Sequence, residues 1–262
     1  MTVKNVLGAI YRAVFSPARR GAPVQPLRAF ARLPVVYDMV SLALQARDLR
    51  RMSRIAGTYA TDDAHYRQVH DYNAGVTRSK VITTTRRAER YYELLSLLRR
   101  PAREERLLIV GPRNVKELFT AWTRGWSWDR IEAIDLYSTN SKISVMNMEA
   151  MTFPDASFDA VAMANTLSYA NDTRQALLEV ARVLRPGGRF AFSATYDPDG
   201  SRWKEDKVDG GALATMLREL GFEVCVHFAA DKTNSEGRRQ TSHDFLVRLV
   251  PPGEQLRDPF RL

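Results

Sequence analysis

The sequence predicts an α/β fold organised around a parallel β-sheet, and three observations carry that prediction. The stretch from Phe158 to Phe192, FDAVAMANTLSYANDTRQALLEVARVLRPGGRFAF, reads as strand, helix, tight turn and strand, a βαβ unit that crosses over right-handed. Upstream, Arg106 to Gly111, RLLIVG, is a continuous apolar run ending in glycine, the pattern of a central strand buried on both faces. Around these, short apolar runs alternate with helical periodicity through to the C-terminal region.

The elements follow in order. No acidic side chain occurs before Asp38. Val3, Val6, Leu7, Ile10, Val14 and Phe15 fall at helical spacing beside Lys4 and Arg12. Three readings fit this segment: an amphipathic helix docked on the protein, a helix at a membrane surface, or an organelle-targeting peptide. Pro17, Pro23, Pro26 and Pro34 mark residues 17–34 as a linker. Val35 to Ile55 predicts a helix, and 57–77, rich in Tyr, His and Asp, an irregular segment. Thr83 to Leu98 predicts a further helix. After the central strand, Asn114 and Glu117 have capping-box spacing. Strands are expected over Ile131–Leu136, closing on Asp135, and over Ile143–Met146. Val161 to Ala164 begins the βαβ unit. Ala176, Leu177, Val180, Val183 and Leu184 give its helix one apolar face. Arg182 and Arg185 sit in the last turn, and Pro186-Gly187-Gly188 ends it. A helix over Gly210–Leu220 and strands over Phe222–Phe228 and His243–Val250 complete the pattern.

Composition bounds the function. The 262 residues, 45% hydrophobic and 26% charged, fit one ordinary α/β domain with an N-terminal extension. We divide the chain into a basic helical extension, 1–100, and an α/β domain, 101–262. Residues 1–100 hold 18 Lys and Arg against 7 Asp and Glu, a net +11, so the remainder of the +9 chain is nearly neutral. Basic character confined to the front weakens any reading in which the whole surface grips nucleic acid. One cysteine, Cys225, excludes an intramolecular disulfide and fits a reducing compartment such as the cytoplasm. No uninterrupted apolar run reaches the roughly 18 residues of a membrane span, so none is expected.

The ordered set of an acidic strand end, FPDASFD, a helix, LLEVARVLRPGG and a strand resembles the second half of class I S-adenosylmethionine-dependent methyltransferases. The nearest branch is the broad one that includes quinone-biosynthesis and small-molecule methyltransferases. The likeness covers roughly Leu107 to Val250 and implies a Rossmann-like domain over 101–262, with the basic helical extension, 1–100, serving as an active-site lid. It implies a mostly parallel seven-stranded sheet with an antiparallel last strand, and S-adenosyl-L-methionine as cofactor. It also implies that Asp135 takes the ribose hydroxyls, and that Asn147 and Met148, with Leu136 and Asn165 nearby, flank the adenosine. The family's glycine-rich first loop corresponds to Gly111, Pro112, Arg113, Asn114 and Val115 here, where only the first glycine remains. Arg113 then either clamps the methionine carboxylate or fills the pocket of a protein that no longer takes the cofactor.

For methyl transfer to a hydroxyl, a base helps. The candidates are His70 with Asp71, Tyr72, Tyr169 and His243. No Asp, Glu and His cluster has metal-ligand spacing. The reading is an O-methyltransferase acting on a small molecule or glycan hydroxyl, with residues 1–20 as a contact for a membrane surface and self-association left open. The alternatives are a non-catalytic protein of the same fold and an RNA methyltransferase. Against the latter, Asn165-Thr166-Leu167-Ser168 stands where the Asn/Asp-Pro-Pro-aromatic signature would be.

Overall fold

The computed structural model describes residues 24–55, 57–79, 82–83, 86–138, 140–197, 209–233 and 237–255. The apolar pattern at residues 3–15 lies outside them.

Seven strands form the main sheet. In chain order they are β2 (Leu107–Val110), β3 (Ile131–Asp135), β5 (Ile143–Val145), β6 (Phe158–Met163), β7 (Leu184–Tyr196), β8 (Phe222–Thr233) and β9 (Arg239–Leu249). Their spatial order is β5-β3-β2-β6-β7-β9-β8. Neighbours from β5 to β7 run parallel, whereas β9 runs antiparallel to both β7 and β8. The expected seven-stranded, mostly parallel sheet with an antiparallel last strand is therefore observed. A two-residue pair, β1 (Gly57–Thr58) with β4 (Tyr137–Ser138), stands beside it.

The pattern of β2 explains its apolar run. Leu107 and Ile109 enter one core cluster, and Leu108 and Val110 enter the other. The first cluster packs α2 (Pro34–Ile55), α4 (Glu89–Leu98) and α5 (Val115–Thr123) on the sheet through Tyr37, Leu44, Tyr91, Leu95 and Trp122. The second packs α6 (Thr173–Val183) and α7 (Gly210–Glu219) through Leu177, Val180, Leu213 and Leu217. Side chains from before and after residue 100 thus share one apolar core. Buried Arg189 adds a polar tie across it, donating to Glu105 at 2.6 Å with its guanidinium over the Trp126 ring.

Four local expectations need correction. Residues 57–77 are not irregular throughout, because α3 spans Ala64–Ser79. The Asp63 carboxylate starts it by accepting from the N–H groups of His65 and Tyr66 at 2.8 and 3.2 Å, the usual service of an aspartate before a helix. Within the expected linker, α1 occupies Val24–Ala31; Pro26 falls in its first turn, where a missing N–H costs nothing. The helix expected from Thr83 starts at Glu89, since the Thr83 N–H donates to Gln45 and its carbonyl accepts from Lys116. The turn at Pro186–Gly188 lies inside β7 as an irregularity. Pairing shifts from Phe158 with Leu184 to Ala160 with Arg189, and Gly187 takes φ +78°.

Candidate functional site

The chain reverses its lateral direction at β2, which lies between β3 and β6. In an open α/β sheet, ligands bind beyond the carboxyl ends of the strands at such a switch point. Here that crevice is lined by Gly111, Asp135, Leu136, Asn147, Met148, Thr166 and Tyr169, and helix α3 covers it with Tyr66, Val69 and Asn73. Six of the thirteen residues proposed from the sequence therefore meet in one cleft.

Each arrives by the local logic of its element. Gly111 ends β2, and its N–H donates to the Ile134 carbonyl at 2.8 Å. Its φ is +71°, and an added Cβ would lie 2.2 Å from the Thr166 hydroxyl. Only glycine lets the loops after β2 and β6 approach this closely. Asp135 ends β3. Its carboxylate accepts from the Tyr137 N–H at 3.3 Å. Burial pushes the carboxyl up to about 7, against the opposing pull of backbone N–H groups and the Arg87 cation. Asn147 is buried, its side-chain oxygen accepting from the Glu149 N–H at 2.9 Å. The Tyr66 hydroxyl accepts from the Asn171 N–H at 3.4 Å, and desolvation and the nearby Glu149 carboxylate keep it protonated beyond its ordinary range.

Two guanidinium groups stand beside the cleft without lining it. Arg87 donates to Glu117 at 2.8 Å and to the Gly111 carbonyl at 3.2 Å. Burial opposes its charge, but Glu117, with Asp135 and Tyr169 farther off, holds the cation above its ordinary value. The charge on half-buried Arg113 is disfavoured first by desolvation and then by Arg87, with Glu117, Tyr169 and Tyr72 opposing. Arg113 makes no ion pair among the described residues. The Tyr72 and Tyr169 rings lie 6.2 Å apart, and their side chains hydrogen-bond. The whole arrangement offers a carboxylate, amides and phenols in the cleft lining, with two cations and the Tyr72 phenol beside it.

The remaining proposed residues lie elsewhere. Pro112 is buried behind the loop. Asn165 does not line the cleft; it takes φ +56°, with its N–H donating to Ser193 and its side-chain oxygen accepting from the Ser193 hydroxyl. Ser193 in turn accepts from Tyr91, so Asn165 anchors a strand end. His70 and Asp71 bond each other at 3.1 Å; Asp71 is exposed, whereas the His70 side chain is largely buried, its ring edge-on to Tyr137 and its Nε2 without a partner among the described residues. In helical phase His70 lies one turn on from Tyr66, at the edge of the face that Tyr66, Val69 and Asn73 turn to the cleft, whereas Asp71 points away. His243 sits on β9 against His227 at 3.1 Å, packed under Gly210 at the start of α7. Neither histidine reaches the cleft. The expected capping box is also half formed: Asn114 accepts from the Lys116 N–H, but Glu117 turns to Arg87.

The sequence reading missed Arg87, Tyr66 and Thr166. Arg87 had one visible signal, the basic pair Arg86-Arg87 at a helix start. The Tyr66 position was legible only once 64–79 is read as a helix.

Comparison with known proteins adds the following. Residues 127–192 match a family model described as a methyltransferase domain. The ubiquinone/menaquinone biosynthesis C-methyltransferase of Hahella chejuensis is 51% identical over 124 residues, covering 35% of this chain and 50% of that one. An O-methyltransferase of Aspergillus nomiae is 33% identical over 105 residues, covering 34% and 47%. The chain thus spans half or less of these curated relatives. Among solved structures, the Burkholderia thailandensis 1,6-didemethyltoxoflavin-N1-methyltransferase, with 1,6-didemethyltoxoflavin and S-adenosylhomocysteine bound, shares the fold. Its TM-score is 0.52 at 16% identity, covering 73% of this chain and 92% of that one.

Proposed function

We propose that this chain, which its domain match and fold put in the class I S-adenosylmethionine-dependent methyltransferase superfamily, transfers a methyl group from that cofactor to a small phenolic hydroxyl. One observation carries the reading: Gly111, Asp135, Asn147 and Met148, from three separate loops, converge on one crevice at the switch point. The residues present suit the group. Gly111 leaves a cradle that a Cβ would fill, the Asp135 carboxylate is set to accept from a ribose diol, and the Asn147 amide can face a base edge. Arg113, with Arg87 behind it, suits the carboxylate of the methionine end. When bound, the cofactor supplies an activated methyl on sulfonium, and transfer needs only an in-line approach by the acceptor.

The chain's own contribution is position and charge. Much of the rate can come from holding the acceptor in near-attack geometry. The described lining of the cleft contains no histidine, so an aliphatic hydroxyl would find no ready imidazole base there. A phenol ionises more readily, and the Arg87 and Arg113 cations favour its phenolate. Tyr72 and Tyr169 would flank its ring at the mouth. The acceptor loses its proton to water, gains the methyl carbon, and leaves as the ether beside S-adenosylhomocysteine.

A second reading has one observation in its favour. The cleft encloses about 30 Å³, room for a water-sized group, with Tyr66 of α3 among the residues that line it. Cofactor access therefore requires α3 to shift, or the protein uses the fold for binding alone. Release of S-adenosylhomocysteine, measured with simple phenols, aliphatic alcohols and RNA as acceptors, separates these cases. Turnover confined to phenols supports the proposal; turnover on alcohols or RNA alone, or on none, refutes it.

A further inference from the structure

Helix α2 is apolar on two opposite faces. Tyr37, Val40 and Leu44 are buried against the sheet domain, whereas Val35, Met39, Leu42 and Leu49 are exposed on the far side, Val35 to 71%. Those four recur at helical spacing along about 21 Å of helix, and Phe30 of α1 and Leu33 in the turn after it extend the stripe. A helix apolar on both faces normally has both covered, and an exposed stripe of this size marks an interaction surface.

Charge decides what covers it. Arg50 is exposed beside the stripe, and Arg32, in the turn before α2, is exposed although its Nε donates to the Thr123 carbonyl at 2.7 Å. The acids on the same helix are engaged: Asp38 meets Arg86 at 3.4 Å, and buried Asp48 accepts from Asn140 at 2.8 Å. The face is therefore apolar with a cationic border. A second copy meeting it isologously would set those cations against their own equivalents. The chain's own residues 1–23 carry Lys4, Arg12, Arg19 and Arg20 and no acid, so docking them here would add cations to cations. An anionic bilayer satisfies the apolar stripe and the charge of both segments at once. We infer that the outer face of α1 and α2 docks on anionic lipid. No helix among the described residues is long and apolar enough to cross a membrane, so the contact lies at the surface.

The test is flotation of the full chain with vesicles of phosphatidylcholine alone or with phosphatidylglycerol added. Binding should require the anionic lipid and fade with salt, as exposed charges are screened. Met39→Glu with Leu42→Glu should weaken binding by roughly tenfold or more, the worth of burying one or two such side chains. Arg50→Glu should weaken binding to anionic vesicles. The thermal midpoint of these variants should not change, because the substituted side chains are exposed. Failure of the wild-type chain to float, or equal flotation of the stripe variant, overturns the inference. So does a stripe variant that melts lower, which would mean the chain's own segment covers the face, or one that dissociates a dimer in light scattering.

Discussion

Replacing Asp135 with Asn removes the carboxylate while keeping its shape, and the structure sets opposite signs for its effects on stability and binding. The free protein holds this carboxyl near 7, with burial as the main cause. A raised folded-state value means the stability it contributes is present below its ordinary range near 4 and is lost as pH rises through about 7. Asp135→Asn should therefore stabilise the free protein at pH 8, by on the order of 2–4 kcal/mol, and do nothing near pH 4. Ribose hydroxyls donate to the ionised form. Affinity for S-adenosylmethionine should accordingly rise roughly a hundredfold between pH 5 and pH 8, with proton release on binding. The Asn variant should lose that pH dependence and bind about 1.5–3 kcal/mol more weakly at pH 8, the worth of charge-assisted bonds. Calorimetric titration across pH, in buffers of different ionisation enthalpy, reads affinity and proton release together. A flat pH profile with unchanged affinity in Asp135→Asn would refute the placement of the ribose.

Two further outcomes follow from the first loop. Gly111→Ala should destabilise by roughly 2–4 kcal/mol in urea unfolding, because its methyl would sit 2.2–2.8 Å from Thr166 side-chain atoms at φ +71°; Thr166→Ala should recover part of that loss, and a neutral Gly111→Ala would mean the loops stand apart. Arg113→Ala should weaken cofactor binding, with Arg113→Lys restoring it only in part for want of the planar fork. If Arg113 instead blocks the pocket, Arg113→Gly should improve binding, so one titration series returns opposite signs for the two roles.

The sheet was legible in the sequence because strands buried on both faces read as unbroken apolar runs, as at Leu107–Val110, and because the βαβ unit shows two periodicities in a row. Strand-end site residues were legible for the same reason: Gly111 and Asp135 mark where apolar runs stop. What stayed hidden depends on packing between distant segments. Arg87 comes 24 residues before the Gly111 carbonyl it bonds, and no local pattern ties the two. Helix α3 was missed because its polar, His- and Tyr-rich sequence carries a weak apolar stripe. His70 lies one turn from Tyr66, so even the helical phase does not separate them; packing against Tyr137 takes His70 aside, and only Tyr66 lines the cleft. Phe153, a residue suited either to core or to an adenine ring, packs edge-on against Phe158 at 5.0 Å.

The most direct measurement is calorimetric titration of the full chain with S-adenosylhomocysteine at pH 8, where Asp135 is ionised. The account predicts one site of roughly micromolar affinity, about −8 kcal/mol. A folded chain that shows no binding at millimolar concentrations would contradict the cofactor assignment and leave a methyltransferase fold used for another purpose.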